Sequence, residues 1–234
     1  PSEIVINGLP GATRATAVQV VNTSDEAVNV RAAVALPPVL KGVAIGTYKG
    51  EDLNCTHWLE VLPKEFHLPS YGRQSIRIVV KMPNPEAVYP CYYAIVGLFA
   101  TYPDGQNAGL TTANVCVVNQ QAETKPMARA TGALNLSLEK ESQYTIACVF
   151  GNYGNIHFTP ERCRATVRNL AGLPMLPILL RGRRDLMLPF EFREFSGVLD
   201  FSEFPAGFYR VEVSLGYGPG LAATSDVGIE VSIE

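Results

Sequence analysis

Three histidines (His57, His67 and His157) and five cysteines (Cys55, Cys91, Cys116, Cys148 and Cys163) are the side chains here best suited to hold a metal, move a proton or attack a substrate. Two of the histidines and the single tryptophan, Trp58, fall in one stretch, "HWLEVLPKEFHLPSYGRQSIRIVVKMPNP". Metal or acid–base chemistry needs such groups to converge with carboxylates or with one another. Their spacing gives no CxxC or HExxH, and the chain has no G-x-S-x-G elbow, P-loop or dinucleotide fingerprint. Glu191 and Glu194 lie close together in a strand-and-turn setting that marks neither as buried. Gly216, Gly218 and Gly220 surround Pro219 with no helix to follow, a hairpin turn rather than a phosphate loop. The expectation is a protein with no catalytic residue, no metal and no cofactor, its histidines at the surface or in packing roles.

The cysteines admit a structural reading. Cys55 and Cys91 lie in connecting segments of one half and are the pair expected to bridge if the chain is oxidised, contributing on the order of 2–4 kcal/mol. Cys148 and Cys163 fall on consecutive inward-reading runs, either bridging two sheets or packing as small apolar thiols, and Cys116 is left over. Arg181, Arg183 and Arg184, closed by Asp185, read as a solvated turn. Tyr48, Tyr71, Tyr92, Tyr102 and Tyr153 fall at strand ends or turns, positions that serve either carbohydrate and peptide contacts or sandwich corners. Asn22, Asn54 and Asn135 begin N-x-S/T sequons, which matter only in a eukaryotic secretory pathway.

The elements that would position these groups are strands. Apolar residues recur with period two: Val28, Val30, Ala32 and Val34 against Asn29 and Arg31; Ile76, Ile78 and Val80 against Arg77 and Lys81. Cys163, Ala165 and Val167, then Tyr209, Val211, Val213 and Leu215, repeat the pattern later. Turn clusters such as "NTSDE", "YPDGQN", "FGNYGN" and "GYGPG" separate the runs, and no segment reads as a convincing helix. The fold class expected is all-β, two tandem immunoglobulin-like antiparallel β-sandwiches, residues 1–120 and 121–234, divided at the polar "NQQAETKPMA". The halves look duplicated. "AVQVVNTSDEAVNVRAAV" matches "YTIACVFGNYGNIHFTPERCRATV", and "YPCYYAIVGLFA" matches "FPAGFYRVEVSL", setting Tyr93 against Tyr209 as corner tyrosines.

A net charge of −3 lacks the basic footprint of a nucleic-acid binder. No apolar run is long enough for a membrane span. The chain opens at Pro1 with no signal-peptide pattern, which leaves secretion open.

The first half, residues 3–118, resembles the immunoglobulin-like domain of pilus-assembly chaperones and major sperm proteins. The resemblance is carried by "INGLPGATRATAVQVVNTSDEAVNVRAAV", "WLEVLPKEFHLPSYGRQSIRIVVKMP" and "YYAIVGLFA". The second half reads as a generic bacterial immunoglobulin-like module. Chaperones of this kind clamp a subunit's terminal carboxylate with basic residues on early and late strands, and donate an alternating apolar strand to the client. Here Arg14 matches the early base, "LTTANVCVV" offers no lysine, and Ala113, Val115 and Val117 alternate on what the resemblance implies is a partner-binding edge strand.

Together these readings lead to an expected non-catalytic, extracytoplasmic protein-binding or structural module, in the periplasm or at the cell surface, whose partner is another protein. A periplasmic assembly chaperone acting by β-strand addition, and a carbohydrate-binding module with a glycan as partner, are the alternatives.

Overall fold

Strands account for all the regular structure apart from short 3₁₀ turns in the computed structural model, which describes residues 2–84, 87–140 and 142–231. The chain divides into two units, Pro1–Thr124 and Lys125–Glu234. Each is a β-sandwich, antiparallel throughout its named strands except for one parallel pair in the first unit, so the fold class read from the sequence holds.

Unit 1 contains β1 (Ser2–Gly8), β2 (Thr13–Val21), β3 (Val28–Ala35), the two-residue strands β4 (Ala44–Ile45) and β5 (Tyr48–Lys49), β6 (Leu59–Leu62), β7 (Glu65–Leu68), β8 (Arg73–Lys81), β9 (Cys91–Thr101) and β10 (Asn107–Asn119). One sheet runs β1-β10-β9-β3-β7 and the facing sheet β2-β8-β6, with β4 and β5 pairing as a hairpin. The alternation read from the sequence sets the inner faces: Val28, Val30, Ile76, Ile78 and Val80 are buried, and Arg31, Arg77 and Lys81 point out. Inner side chains of the two sheets interdigitate around Trp58, Val61, Tyr92 and Val117.

Irregular chain covers the start of β9, where β3 does not reach and Asn54 bridges Tyr93. Between β3 and β6 the chain makes three 3₁₀ turns, at Pro38–Leu40, Gly50–Leu53 and Thr56–Trp58, that bury Leu40, Leu53 and Cys55 completely. The Cys55 N–H donates to the Tyr93 carbonyl at 3.3 Å and ties this cover to β9. Gly50 is required by the close approach: a Cβ there would stand 2.2 Å from the Leu40 carbonyl oxygen.

Unit 2 contains β11 (Ala128–Lys140), β12 (Gln143–Asn152), β13 (Cys163–Asn169), β14 (Pro174–Leu179), β15 (Phe192–Asp200), β16 (Gly207–Gly218) and β17 (Leu221–Val231). The sheets are β11-β12-β15 and β14-β13-β16-β17. Ile146, Cys148 and Phe150 face Cys163, Ala165, Val167, Val211 and Val213 across the core. The loop before β15 is knitted by Arg193, whose buried guanidinium donates to the carbonyls of Arg183 (3.0 Å), Asp185 (2.7 Å) and Leu186 (3.1 Å) and pairs with the Glu191 carboxylate.

Candidate partner-binding edge of unit 1

β10 has two unlike halves. From Ala113 to Asn119 it lies between two strands, bonded to β9 on one side and on the other to β1, which runs parallel to it in the register Ser2↔Ala113, Ile4↔Val115, Ile6↔Val117. From Asn107 to Thr112 it pairs with β9 alone among the described residues. The expectation that Ala113, Val115 and Val117 form an open edge is therefore corrected: β1 covers them, and Val115 and Val117 are fully buried. Alternation of side chains reports which face a strand buries, and carries no information about which backbone groups are already paired.

The inward positions of β10 shrink toward its start, from Val117 and Val115 to Ala113, Thr111 and Gly109. The facing edge belongs to β2, which among the described residues is bonded to β8 alone. Between the two edges the sandwich gapes. An apolar slot of about 270 Å³ runs past Ile4, Val18, Val20, Ile76, Ile78, Val96 and Leu98 to Thr111 and Ala113. A second hollow of about 300 Å³, sharing Val20, Leu98 and Thr111 with it, reaches Leu68, Ala100, Tyr102 and Ala108. An apolar trough beside a sheet edge is what an added β-strand requires.

The carboxylate clamp implied by the resemblance is not assembled. Arg14 is exposed on β2 opposite Val80, and neither β1 nor β10 carries a lysine or arginine to partner it.

The remaining sequence candidates are dispersed or structural. Trp58 packs in the core with its ring centroid 4.3 Å from that of Tyr92, while the exposed His57 ring lies 5.6 Å from the indole. The exposed His67 hydrogen-bonds Asn29 at 3.1 Å, and His157 is half-buried in unit 2. Glu191 is held by Arg193 and by the Leu188 N–H, so it forms no acid–base pair with the exposed Glu194. Arg183 hydrogen-bonds the Asp185 carboxylate and holds its pKa below the usual range. The five tyrosines do not form a row: Tyr92 is in the core, Tyr48 stacks edge-on against Tyr89, and Tyr71 and Tyr102 lie on separate turns. Tyr153, in unit 2, packs against Phe192.

All five cysteines are buried thiols, so the expected Cys55–Cys91 bridge is not formed. The Cys91 thiol instead hydrogen-bonds that of Cys116 across the β9–β10 ladder, two positions off the directly paired Val118. Burial raises the pKa of Cys55, Cys148 and Cys163, Cys148 to about 11 and Cys163 to about 12, which keeps them protonated and unreactive at neutral pH.

No family model matches the chain, and no curated protein matches it. Solved structures do. The YadV chaperone aligns with a TM-score of 0.53 at 9% identity, covering 98% of this chain and 96% of that one. The two-sandwich fold is the fold of that chaperone. CupB2 of Pseudomonas aeruginosa (TM-score 0.49, 14% identity, 97% and 96% covered) and DraB of E. coli (0.48, 16%, 100% and 94%) are also chaperones with which the chain aligns. The resemblance read in the first half thus holds as a likeness of fold and extends to the second half.

Proposed function

We propose that this chain is a non-catalytic, extracytoplasmic assembly chaperone that holds another protein by β-strand addition to Asn107–Thr112 of β10. The observation that carries the reading is the apolar slot of about 270 Å³ between the edges of β2 and β10. An extended segment of the partner would bond to this edge and turn alternate apolar side chains toward Val18, Val20 and Leu98. The fold shared with the YadV chaperone agrees with this role. Because the basic clamp is missing, recognition would rest on the edge and slot and would not require a free carboxyl terminus. The scattered tyrosines favour no glycan.

A synthetic nonapeptide with alternating valines and serines, titrated against the full chain under hydrogen exchange, tests the proposal. Binding that slows exchange of the amides of residues 107–112 is the expected result. Protection confined to another segment, or no binding at millimolar peptide, would overturn it.

A further inference from the structure

We infer that unit 2 binds a tetrahedral oxyanion, a phosphate or sulfate group, in a hollow of about 410 Å³ on the outer face of its β14-β13-β16-β17 sheet, gripped by Arg162, Arg164 and Arg184. The inference is independent of the strand-addition reading, since every residue in it belongs to unit 2. Arg162 and Arg164 flank the buried Cys163, so both side chains leave the sheet on its solvent side. Small residues floor the hollow. Ser214 is the cross-strand partner of Arg164, and Gly216, whose N–H donates to the Arg162 carbonyl at 3.0 Å, is the partner of Ala222.

Arg184 enters from the loop before β15, and its backbone is fixed on both sides. The carbonyls of its two neighbours, Arg183 and Asp185, accept from the buried Arg193 guanidinium. The turn read from the sequence as Arg181, Arg183 and Arg184 closed by Asp185 is thus closed only in part: Asp185 pairs with Arg183 and Arg193, and Arg184 is left out. Among the described residues Arg168, Arg183, Arg193 and Arg210 of unit 2 each make an ion pair, and Arg162, Arg164 and Arg184 make none. The one carboxylate in the lining, Glu161, lies over Gly216, with Oε2 3.3 Å from where a Cβ there would stand. Three guanidiniums to one carboxylate leave the hollow positive, and like charges facing one space repel until an anion occupies it. A carboxylate has two oxygens and fills one guanidinium fork, whereas a tetrahedral oxyanion can engage forks arriving from separate segments.

Titration of the full chain with pyrophosphate, inorganic sulfate and glucose 1-phosphate, followed by NMR of the backbone amides, tests the inference. At least one probe is expected to bind saturably, to shift the amides of residues 162–165 and 214–216 ahead of all others, and to bind more weakly as sodium chloride is raised. The tightest of the three tells which group is taken, and whether free or on a sugar. All three arginines are exposed, so their replacement leaves the core untouched. Arg162→Gln, Arg164→Gln and Arg184→Gln should each weaken binding about fivefold, Glu161→Gln should tighten it about twofold, and Arg77→Gln in unit 1 should change nothing. No binding at millimolar probe, or an equal loss from Arg77→Gln and the three unit 2 variants, would overturn the inference. So would binding of a hexa-aspartate peptide at these amides when none of the three probes binds.

Discussion

The turn that follows the second strand of each unit's opening motif is built by one asparagine in the same way. Asn22 donates through Nδ2 to the carbonyls of Glu26 (2.7 Å) and Pro69 (3.0 Å) and accepts at Oδ1 from the Ser24 N–H (3.1 Å). Asn152 donates to Ile156 (3.0 Å) and Met187 (3.0 Å) and accepts from the Gly154 N–H (2.9 Å). In both, one bond goes four residues ahead, one goes to a distant loop, and the oxygen closes an Asx turn. The units part company at their closing strands. β17 also has small inward residues, Ser225 and Ala223 opposite Val213 and Leu215, but there the Cys148 thiol reaches Ser225 and Ala223 is buried. In unit 1 the matching taper, Ala113 and Thr111, is left as the slot. The lesson is that a sandwich keeps its turns by polar brackets and becomes a binding module by leaving one end of its core unfilled.

Five substitutions, in three tests, probe that contrast. Arg193→Ala has the largest expected effect, because it strands the Glu191 carboxylate and several buried carbonyls at once. Loss of such a buried, hydrogen-bonded charge costs about 3–5 kcal/mol. Hydrogen exchange should show unit 2 amides losing protection while those of unit 1 keep theirs, and equal loss in both would break the picture of two separately built cores. Next, Asn22→Ala and Asn152→Ala should each cost about 2–3 kcal/mol in their own unit, since each removes at least three hydrogen bonds at a buried turn, each worth about 1 kcal/mol. Urea unfolding followed by exchange in each unit checks this, and markedly unequal losses would show that the brackets are alike only in geometry. The smallest effect sharpens the contrast most: Ala113→Val should stabilise unit 1 by about 1 kcal/mol by filling the slot, whereas Ser225→Val should destabilise unit 2 by a similar amount through overpacking. A loss from Ala113→Val would mean the slot has no room to fill.

Much of the fold was legible in the sequence because period-two alternation is a local signal. The runs used to assign an inner face, from Val28–Val30 and Ile76–Val80 to Cys163–Val167 and Tyr209–Leu215, are buried on that face, and Ala32 and Val34 are half-buried. What escaped depends on partners remote in sequence. The parallel seating of β1 on β10 joins the two ends of unit 1, and no pattern inside either strand announces it. The cover over β9 is irregular chain whose Leu40, Leu53 and Cys55 follow no period. The corner tyrosine was set one residue late. In unit 2 the Tyr209 hydroxyl donates to the Pro205 carbonyl at 2.7 Å as read, but in unit 1 it is Tyr92, not Tyr93, whose hydroxyl accepts the Tyr89 N–H at 2.8 Å. Aligning Cys91 with Gly207 fixed the offset by sequence alone, and Tyr93 faces the cover instead of the core. One clue to the candidate edge was present and unread: Leu110 is the single large apolar residue in "NAGLTTAN", on the face where alternation calls for a polar one.

The Asn22 bracket also bears on how the protein can be produced. Asn22 begins the sequon N-T-S, and its amide nitrogen spends its donors on Glu26 and Pro69 inside a site only 7% exposed. A sugar joined to that nitrogen replaces one of those hydrogens and needs room that the turn does not have. In a glycosylating host, oligosaccharide transfer and closure of the first sandwich would compete for the same atom. Chains modified there would be held back from folding, and bacterial expression or an Asn22-sparing mutation of Ser24 would remove the competition.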